Sequence, residues 1–222
     1  HTLPTAAVPV LVGAGLAAHQ GVFALGPVLL FLVASWLVHV AGVFTDNHTL
    51  IQRYPHLPEH PELLAAVANR TLALSTLRRA IALCLVLALA IGLVLLHIGG
   101  PVVLLMGLVG LVSSLGYHGG PWPYASRGLA DPVFLGMFGV VAVAATYYLQ
   151  AVSLAPEGPW WQRGVALPGA AWWVGLPAGA LVVNVLVIDD IRDRHWDAQK
   201  GWRTGAVRWG LGWSRAEFAL LL

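Results

Sequence analysis

The sequence predicts an all-α fold, a polytopic helical bundle that spans a membrane. Charged residues make up 10% of the 222 residues and hydrophobic residues 58%, whereas a soluble domain carries about 25% charged residues. The mean hydropathy is +0.76, and the apolar residues stand in long runs without the alternation typical of half-buried strands. Because backbone groups in lipid must be satisfied internally, runs of this length predict membrane helices.

Six apolar runs are long enough to be complete spans, and the start of a seventh follows near the end of the chain. The predicted spans are Leu3–Ala18, Ala24–Phe44, Ala80–His97, Val102–Leu115, Pro132–Leu154 and Leu167–Ile188, with the seventh beginning at Ala216. We interpret residues 1–222 as a single transmembrane domain. The chain begins at His1 without a Met, and both ends lie in apolar runs, so we expect the domain to continue beyond both ends.

The basic residues are distributed unevenly between the two sides of the membrane. If the spans alternate in direction, eleven of the twelve Lys and Arg residues fall on one side and only Arg163 falls on the other. Cytoplasmic loops carry an excess of Lys and Arg. The sequence therefore predicts an integral protein of a bacterial or archaeal inner membrane, with its charged side facing the cytoplasm.

An aspartate-rich segment follows the sixth predicted span and carries the clearest chemical signal. Asp190, Asp193 and Asp197 recur at i, i+3 and i+7, which places them within about a 60° sector of one helix face. Asp189 points about 100° away from Asp190. Three carboxylates on one face at a membrane boundary repel one another, and a hard divalent cation such as Mg²⁺ relieves that repulsion. A solvated helix end with mixed charges is the alternative interpretation.

Basic and polar residues around this segment are candidates for binding the phosphate groups of a substrate. Arginine and lysine side chains bind phosphate oxygens through charge-assisted hydrogen bonds. Four of them lie close to the aspartates: Arg192, Arg194, Lys200 and Arg203. Asn184 precedes them in the same predicted helix. The segment therefore predicts a site for Mg²⁺ and a diphosphate at the cytoplasmic membrane face.

The same segment resembles the second aspartate motif of the UbiA superfamily of membrane prenyltransferases. That motif reads roughly Asp-x-x-Asp-x-x-x-Asp, followed by Gly-Lys-x-Thr-x-Ala-Val-Arg-x-Gly. Here the three aspartates are followed by Gly201-Trp202-Arg203-Thr204-Gly205-Ala206-Val207-Arg208-Trp209-Gly210. Asn69-Arg70-Thr71-Leu72 resembles the family's Asn-Arg-Pro-Leu segment. The run that begins at Tyr117 and ends at Pro123 resembles the branch that prenylates 1,4-dihydroxy-2-naphthoate in menaquinone synthesis.

The resemblance implies a UbiA-like bundle that transfers a polyprenyl group from an isoprenyl diphosphate to an aromatic acceptor. It implies Mg²⁺ as the cofactor, with four aspartates as metal ligands and catalytic residues: Asp46, Asp190, Asp193 and Asp197. The residues expected to bind the substrates are Arg70, Tyr117, Asn184, Arg192, Lys200 and Arg203. The expected partners are the two substrates and the lipid bilayer, with no nucleic acid.

Two motifs depart from the family pattern. The family's first motif is Asn-Asp-x-x-Asp, but the aligned stretch is Gly42-Val43-Phe44-Thr45-Asp46, so only its last aspartate remains. The candidate substitutes are Asn47, Glu59 and Glu62. Trp202 replaces the family lysine, and Lys200 is the candidate to reach the same phosphate. These departures leave two alternatives open, namely transfer to another acceptor (a different quinone precursor, a tetrapyrrole or a lipid alcohol) and a non-catalytic membrane relative.

Overall fold

The computed structural model describes residues 3–57, 60–155 and 158–222, and every regular element in these ranges is helical. The α-helices are α1 (Leu3–His19), α2 (Leu25–Arg53), α3 (Pro61–Ala68), α4 (Leu74–Gly99), α5 (Pro101–Leu115), α6 (Ala130–Phe134), α7 (Ala142–Leu154), α8 (Gly169–Trp173), α9 (Gly175–Gln199), α10 (Gly205–Arg208) and α11 (Gly210–Leu220). A π-helical segment, Leu135–Val141, joins α6 to α7, and 3₁₀ turns cover Ala125–Arg127 and Trp160–Gln162. The predicted all-helical membrane bundle is confirmed.

Each of the six predicted spans coincides with a helix or with a continuous series of helices. Four of these are long and apolar enough to cross a membrane: Leu25–Arg53, Leu74–Gly99, Ala130–Leu154 and Gly169–Gln199. The other two, α1 and α5, are apolar but shorter, with 17 and 15 residues. Large apolar side chains such as Val86 on α4 and Val112 on α5 are exposed, as expected for an integral membrane protein in contact with lipid.

Several helix boundaries differ from the ends of the apolar runs, because polar residues continue the helices. The helix α2 runs to Arg53, nine residues past the predicted end of the second span. The helix α4 starts at Leu74 rather than Ala80, and the unpredicted short helix α3 occupies part of the preceding loop. The seventh segment begins at Gly210 and not at Ala216. Hydropathy marks where a chain leaves lipid, and a helix does not need to end there.

Glycines allow neighbouring helices to pack closely, because no Cβ separates their backbones. A Cβ added to Gly179 on α9 would lie 2.7 Å from Gly139 Cα in the π-helical segment, and one added to Gly139 would lie 2.8 Å from Gly175 O. The helix α1 approaches α7 in the same way, because a Cβ on Gly13 would lie 2.6 Å from Thr146 Cβ. Small residues at such interfaces are typical of membrane helices. This packing holds α9, which carries the aspartates, against the π-helical segment.

The bundle is closed at the end opposite the aspartates by hydrogen bonds to the last carbonyls of α4. Nη1 of Arg163 donates to His97 O at 2.7 Å and to Ile98 O at 3.4 Å. The hydroxyl of Tyr148 donates to Gly99 O at 2.8 Å. A helix C-terminus leaves these carbonyls without intrahelical partners. Arg163, the one exception to the charge asymmetry, therefore has a structural function as a helix cap.

Candidate active site

A cavity of about 790 Å³ runs through the bundle between α2, α4, α5, the π-helical segment and α9. One end, here called the charged mouth, is lined by Asp46, Asp189, Asp190, Arg192, Asp193, Asp197 and Lys200. From the mouth the cavity continues past apolar side chains of α4 and α5 to Leu95 and Val103, which pack against Tyr148 near the closed end. We call this part the apolar channel. The cavity thus joins a charged region to an apolar one.

Seven of the ten predicted site residues line the cavity: Asp46, Tyr117, Asp190, Arg192, Asp193, Asp197 and Lys200. The other three lie elsewhere. Arg70 is exposed in the turn after α3, with a φ of 60°. Arg203 is also exposed, and its backbone N–H donates to Ser126 O at 2.9 Å. Asn184 is buried in α9, and neither polar atom of its amide has a hydrogen-bond partner among the described residues.

Arg192 contacts two carboxylates of α9 at once. Its Nε donates to Asp193 Oδ1 at 2.8 Å, and its Nη1 lies 2.8 Å from Asp189 Oδ1. The arginine side chain is more than half exposed, so the strength of these pairs is reduced by solvent. The guanidinium fork binds carboxylates and phosphates with the same bidentate geometry. A diphosphate that enters the mouth can therefore replace a carboxylate as the partner of Arg192.

Asp197 is 4% exposed and has partners on both of its oxygens. Its Oδ1 accepts a hydrogen bond from Lys200 Nζ at 3.1 Å, and its Oδ2 accepts one from Thr204 Oγ1 at 3.2 Å. The Lys200 side chain is itself 1% exposed, and its ammonium lies 3.8 Å from the centre of the Trp202 ring. These contacts fix the position of a buried positive charge at the cavity wall.

Asp190 differs from its neighbours because no Lys, Arg or His side chain in the described part of the chain forms an ion pair with it. It accepts a hydrogen bond from the backbone N–H of Gly205 and lies in the field of Asp131 and Asp197. A partly buried carboxylate beside like charges is unfavourable without a cation. The position therefore fits a metal ion.

The described residues do not enclose a metal ion completely. No group of three His, Cys, Asp or Glu side chains within 3–57, 60–155 and 158–222 converges closely enough to hold one alone. Mg²⁺ typically binds through one or two carboxylates and completes its shell with water and substrate phosphate oxygens. The carboxylates of the mouth thus suit an ion that arrives together with a diphosphate.

On the opposite wall of the mouth, Nδ1 of His118 donates a hydrogen bond to Asp46. The His118 ring stacks on Trp202 with a centroid distance of 4.1 Å and an interplanar angle of 27°. Nε1 of Trp202 donates to the hydroxyl of Tyr54 at 3.1 Å. The ammonium of Lys200 also lies over the Trp202 ring. These contacts connect α2 to the end of α9 across the mouth.

The first position of the incomplete first motif lies where α2 packs closely against α5. Gly42 stands where the family pattern has Asn, and a Cβ at this position would collide with Ser114 Oγ of α5. No side chain fits there unless Ser114 moves. Of the candidate substitutes for the first motif, Asn47 lines the cavity, Glu62 is exposed on α3, and Glu59 lies outside the described residues.

Aromatic side chains cover the wall between these two sides. The ring centroid of Tyr117 lies 5.4 Å from that of Phe134, which lies 4.9 Å from that of Phe138. Burial raises the pKa of Tyr117 well above its usual value, and the nearby carboxylates of Asp190 and Asp46 raise it further. The phenol therefore stays neutral. Aromatic faces attract cations through their quadrupole, so this wall suits a positively charged intermediate.

Comparison with known proteins decides the family. The sequence pattern of the UbiA prenyltransferase family matches residues 59–222. The chain belongs to the UbiA prenyltransferase family. It is therefore a prenyltransferase, and the resemblance drawn from the aspartate motif is confirmed.

Several curated relatives of this UbiA-family chain share one name. The 1,4-dihydroxy-2-naphthoate octaprenyltransferase of Escherichia coli (strain K12) is 28% identical over 227 residues, covering 100% of this chain and 70% of that protein. The proteins of the same name from Mycobacterium leprae (strain TN) and Mycobacterium tuberculosis (strain ATCC 25618 / H37Rv) are each 30% identical over 100% of this chain, covering 70% and 71% of their own lengths. No solved structure matches the chain.

The sequence did not predict the roles of His118 and Trp202 at this UbiA-family mouth. Trp202 stood out only as a replacement for the family lysine, whereas its ring contacts both His118 and Lys200. His118 adjoins Tyr117 in a segment that resembles the family, which is the one signal for it in the sequence. Its partner Asp46 lies 72 positions away, so the pairing depends on the tertiary fold.

Proposed function

We propose that this UbiA-family enzyme transfers a polyprenyl group from an isoprenyl diphosphate to 1,4-dihydroxy-2-naphthoate, in a Mg²⁺-dependent step of menaquinone synthesis. The observation that carries the proposal is the cavity, which joins a charged mouth to an apolar channel. A diphosphate has the charge for the mouth, and a polyprenyl chain has the length and polarity for the channel. The names of the relatives support the choice of acceptor.

In this proposal the diphosphate binds at the charged mouth. The residues that would hold Mg²⁺ are Asp46, Asp190, Asp193 and Asp197. When bound, the ion supplies positive charge that stabilises the departing diphosphate. Lys200 and Arg192 bind the remaining phosphate oxygens. The burial of Lys200 strengthens this contribution, because charge interactions are stronger away from solvent.

The chemistry follows from the placement of the two substrates. The C–O bond of the prenyl diphosphate breaks, and its electron pair leaves with the diphosphate. The ring carbon that bears the acceptor's carboxylate forms a new C–C bond to the allylic carbon, and cleavage of its bond to the carboxylate releases CO₂ and returns an electron pair to the ring. Tyr117 and Phe134 present ring faces to the developing allylic cation, and the apolar channel excludes water that would capture it.

The orientation in the membrane is also part of the proposal. We place the charged mouth on the cytoplasmic side of a bacterial or archaeal inner membrane, because eleven of the twelve Lys and Arg residues belong to the segments at that end. The remaining one, Arg163, caps α4 at the opposite end. A soluble acceptor then enters from the cytoplasm, and the polyprenyl chain enters from lipid.

A turnover assay tests the reaction. Full-length protein in lipid nanodiscs is supplied with Mg²⁺, a labelled polyprenyl diphosphate and one of four acceptors: 1,4-dihydroxy-2-naphthoate, 4-hydroxybenzoate, a tetrapyrrole or a lipid alcohol. We expect labelled product and CO₂ with the naphthoate. Product with a different acceptor would change the assignment of the acceptor, and a lack of diphosphate release with all four would refute the reaction.

The residue assignments have a separate test. Asp193→Asn removes a carboxylate that would bind the cation, so we expect turnover to fall below detection while the protein still folds. Glu62→Gln is the matched control, because Glu62 is exposed on α3 and does not line the cavity. Unchanged turnover in Asp193→Asn, with both variants unfolding at the wild-type temperature, would remove Asp193 from the metal site.

A further inference from the structure

Four rings form a continuous row along the cavity wall, from the charged mouth to a histidine deeper in the membrane. The centroid distances are 5.4 Å from Tyr117 to Phe134, 4.9 Å from Phe134 to Phe138, and 6.4 Å from Phe138 to His39. All four side chains line the cavity. We call them the aromatic row. In the proposed reaction Tyr117 and Phe134 face the allylic cation, whereas no role has been assigned to His39.

His39 lies in the membrane part of α2, below Asp46. The two residues are seven positions apart, so on an α-helix they point in nearly the same direction and differ in depth by about 10 Å. Ser35, one turn deeper, also lines the cavity. An ionisable side chain at membrane depth is costly and usually functional.

The neighbouring π-helical segment positions the ring that contacts His39. Insertions of π-helix into α-helices occur frequently at functional sites. Gly139 packs against the backbone of α9 at Gly175 and Gly179, which holds this segment in place. The rings of Phe138 and His39 meet at an interplanar angle of 84°. A rigid neighbour therefore limits the orientations available to the imidazole.

The aromatic row has the chemistry of a site for a flat ring that carries oxygen. Its three carbocyclic rings offer stacked or edge-to-face contacts. A neutral imidazole has one donor and one acceptor nitrogen, and a single nitrogen is enough to form a hydrogen bond with a phenolic hydroxyl. A phosphate group does not suit this depth, since the Arg and Lys side chains that line the described cavity, Arg192 and Lys200, both lie at the mouth.

We propose that the aromatic row is the acceptor subsite and that His39 hydrogen-bonds to the ring hydroxyl that is not adjacent to the acceptor's carboxylate. This inference rests on the proposed function, because it assigns a place to the acceptor of that reaction. The carboxylate of the acceptor then points toward the positive charges of the mouth, and the distal hydroxyl points into the membrane. His39 and Phe138 are in this sense residues that determine acceptor specificity.

Equilibrium binding to full-length protein in nanodiscs, under anaerobic conditions and without prenyl diphosphate, tests the subsite. The probes are 1,4-dihydroxy-2-naphthoate and 1-hydroxy-2-naphthoate, which lacks only the distal hydroxyl. We expect the wild type to bind the dihydroxy compound about tenfold more tightly, as for one good hydrogen bond. His39→Leu should abolish that preference and leave binding of the monohydroxy compound within about twofold of wild type.

Two further variants separate hydrogen bonding from packing. His39→Gln keeps a donor and an acceptor, so it should restore part of the preference. Phe138→Leu should weaken both probes equally, because both carry the same ring. His97→Leu is the control: His97 is exposed on α4 and does not line the cavity, so both affinities should stay at the wild-type values.

The inference is overturned if the wild type shows no preference, or if folded His39→Leu loses affinity for both probes equally. If His39→Leu does not fold, His39→Gln and the wild-type preference decide instead. Turnover keeps this test apart from the proposed function, and the KM for prenyl diphosphate should not change in His39→Gln. A His39-dependent preference without wild-type turnover would retain the subsite and refute the reaction. Turnover without a His39-dependent preference would retain the reaction and refute the subsite.

Discussion

The two walls of the charged mouth differ in how they are built. The wall from α9 carries four aspartates, and one of them, Asp190, has no basic partner in the described part of the chain. The wall from α2 carries Asp46 alone, hydrogen-bonded to His118, while Gly42 packs against Ser114. For the proposed reaction we therefore expect the aspartates of α9 to contribute more than Asp46 to holding the cation and its diphosphate.

The largest effect that this comparison predicts is for Asp190→Asn. Asparagine keeps the shape but removes the negative charge that the cation needs, so we expect kcat/KM to fall by about 10²–10³-fold, as for loss of a key electrostatic group. Asp189→Asn, at the adjacent position, changes a carboxylate that is already paired with the half-exposed Arg192, so kcat/KM should fall less than about tenfold. Steady-state kinetics at saturating Mg²⁺ measures both. Equal losses would contradict the assignment of Asp190.

The next largest effect concerns stability. Lys200 and Asp197 form a buried ion pair, with side chains 1% and 5% exposed. Lys200→Met leaves a buried carboxylate without its cation, which should lower the free energy of unfolding by about 3 kcal/mol. The double variant Lys200→Met, Asp197→Asn removes both charges and should recover part of this loss. Thermal unfolding in detergent measures the variants, and a wild-type unfolding temperature for Lys200→Met would show that the pair is not buried.

A smaller effect is expected when the family residue is restored on the α2 wall. Gly42→Asn places a side chain against Ser114 Oγ, and overpacking of this kind costs about 1–3 kcal/mol. In the double variant Gly42→Asn, Ser114→Gly the collision is relieved, so part of the stability should return. Gly212→Asn is the control, since a Cβ there meets no atom within 4 Å. A stability of Gly42→Asn equal to that of the control would contradict the close packing of α2 and α5.

Sequence reasoning succeeded where one helix determines the outcome. The apolar runs predicted six spans, each of which coincides with a helix or a series of helices, four of them long enough to cross a membrane. The 100° rotation per residue predicted that Asp190, Asp193 and Asp197 share a face of α9, and all three line the cavity. Asn184 of the same helix is not with them: it lies six positions before Asp190, and its amide is buried outside the cavity.

The remaining features depend on contacts between distant segments. Trp202 reaches Tyr54 across 148 positions of sequence, and the Phe138–His39 contact joins two separate helices. No periodicity within one segment predicts such contacts. Arg70 and Arg203 were selected by resemblance and charge, but the turns that carry them leave both side chains exposed. Charge alone indicates which end of the bundle is polar and not which residues face the cavity.

The smallest effect in this series is expected for Asp46→Asn, and it is the most informative about the α2 wall. Asp46 already has His118 as a partner, and an asparagine oxygen can still accept that hydrogen bond, so we expect kcat/KM to fall by about tenfold. A second metal ion held mainly by Asp46 would instead produce a loss as large as that of Asp190→Asn. Kinetics of the two variants, with Mg²⁺ varied, therefore decides whether the α2 wall binds a cation or supports the His118–Trp202 stack. His118→Ala in the Asp46→Asn background should add little to the loss if the two residues act as one unit.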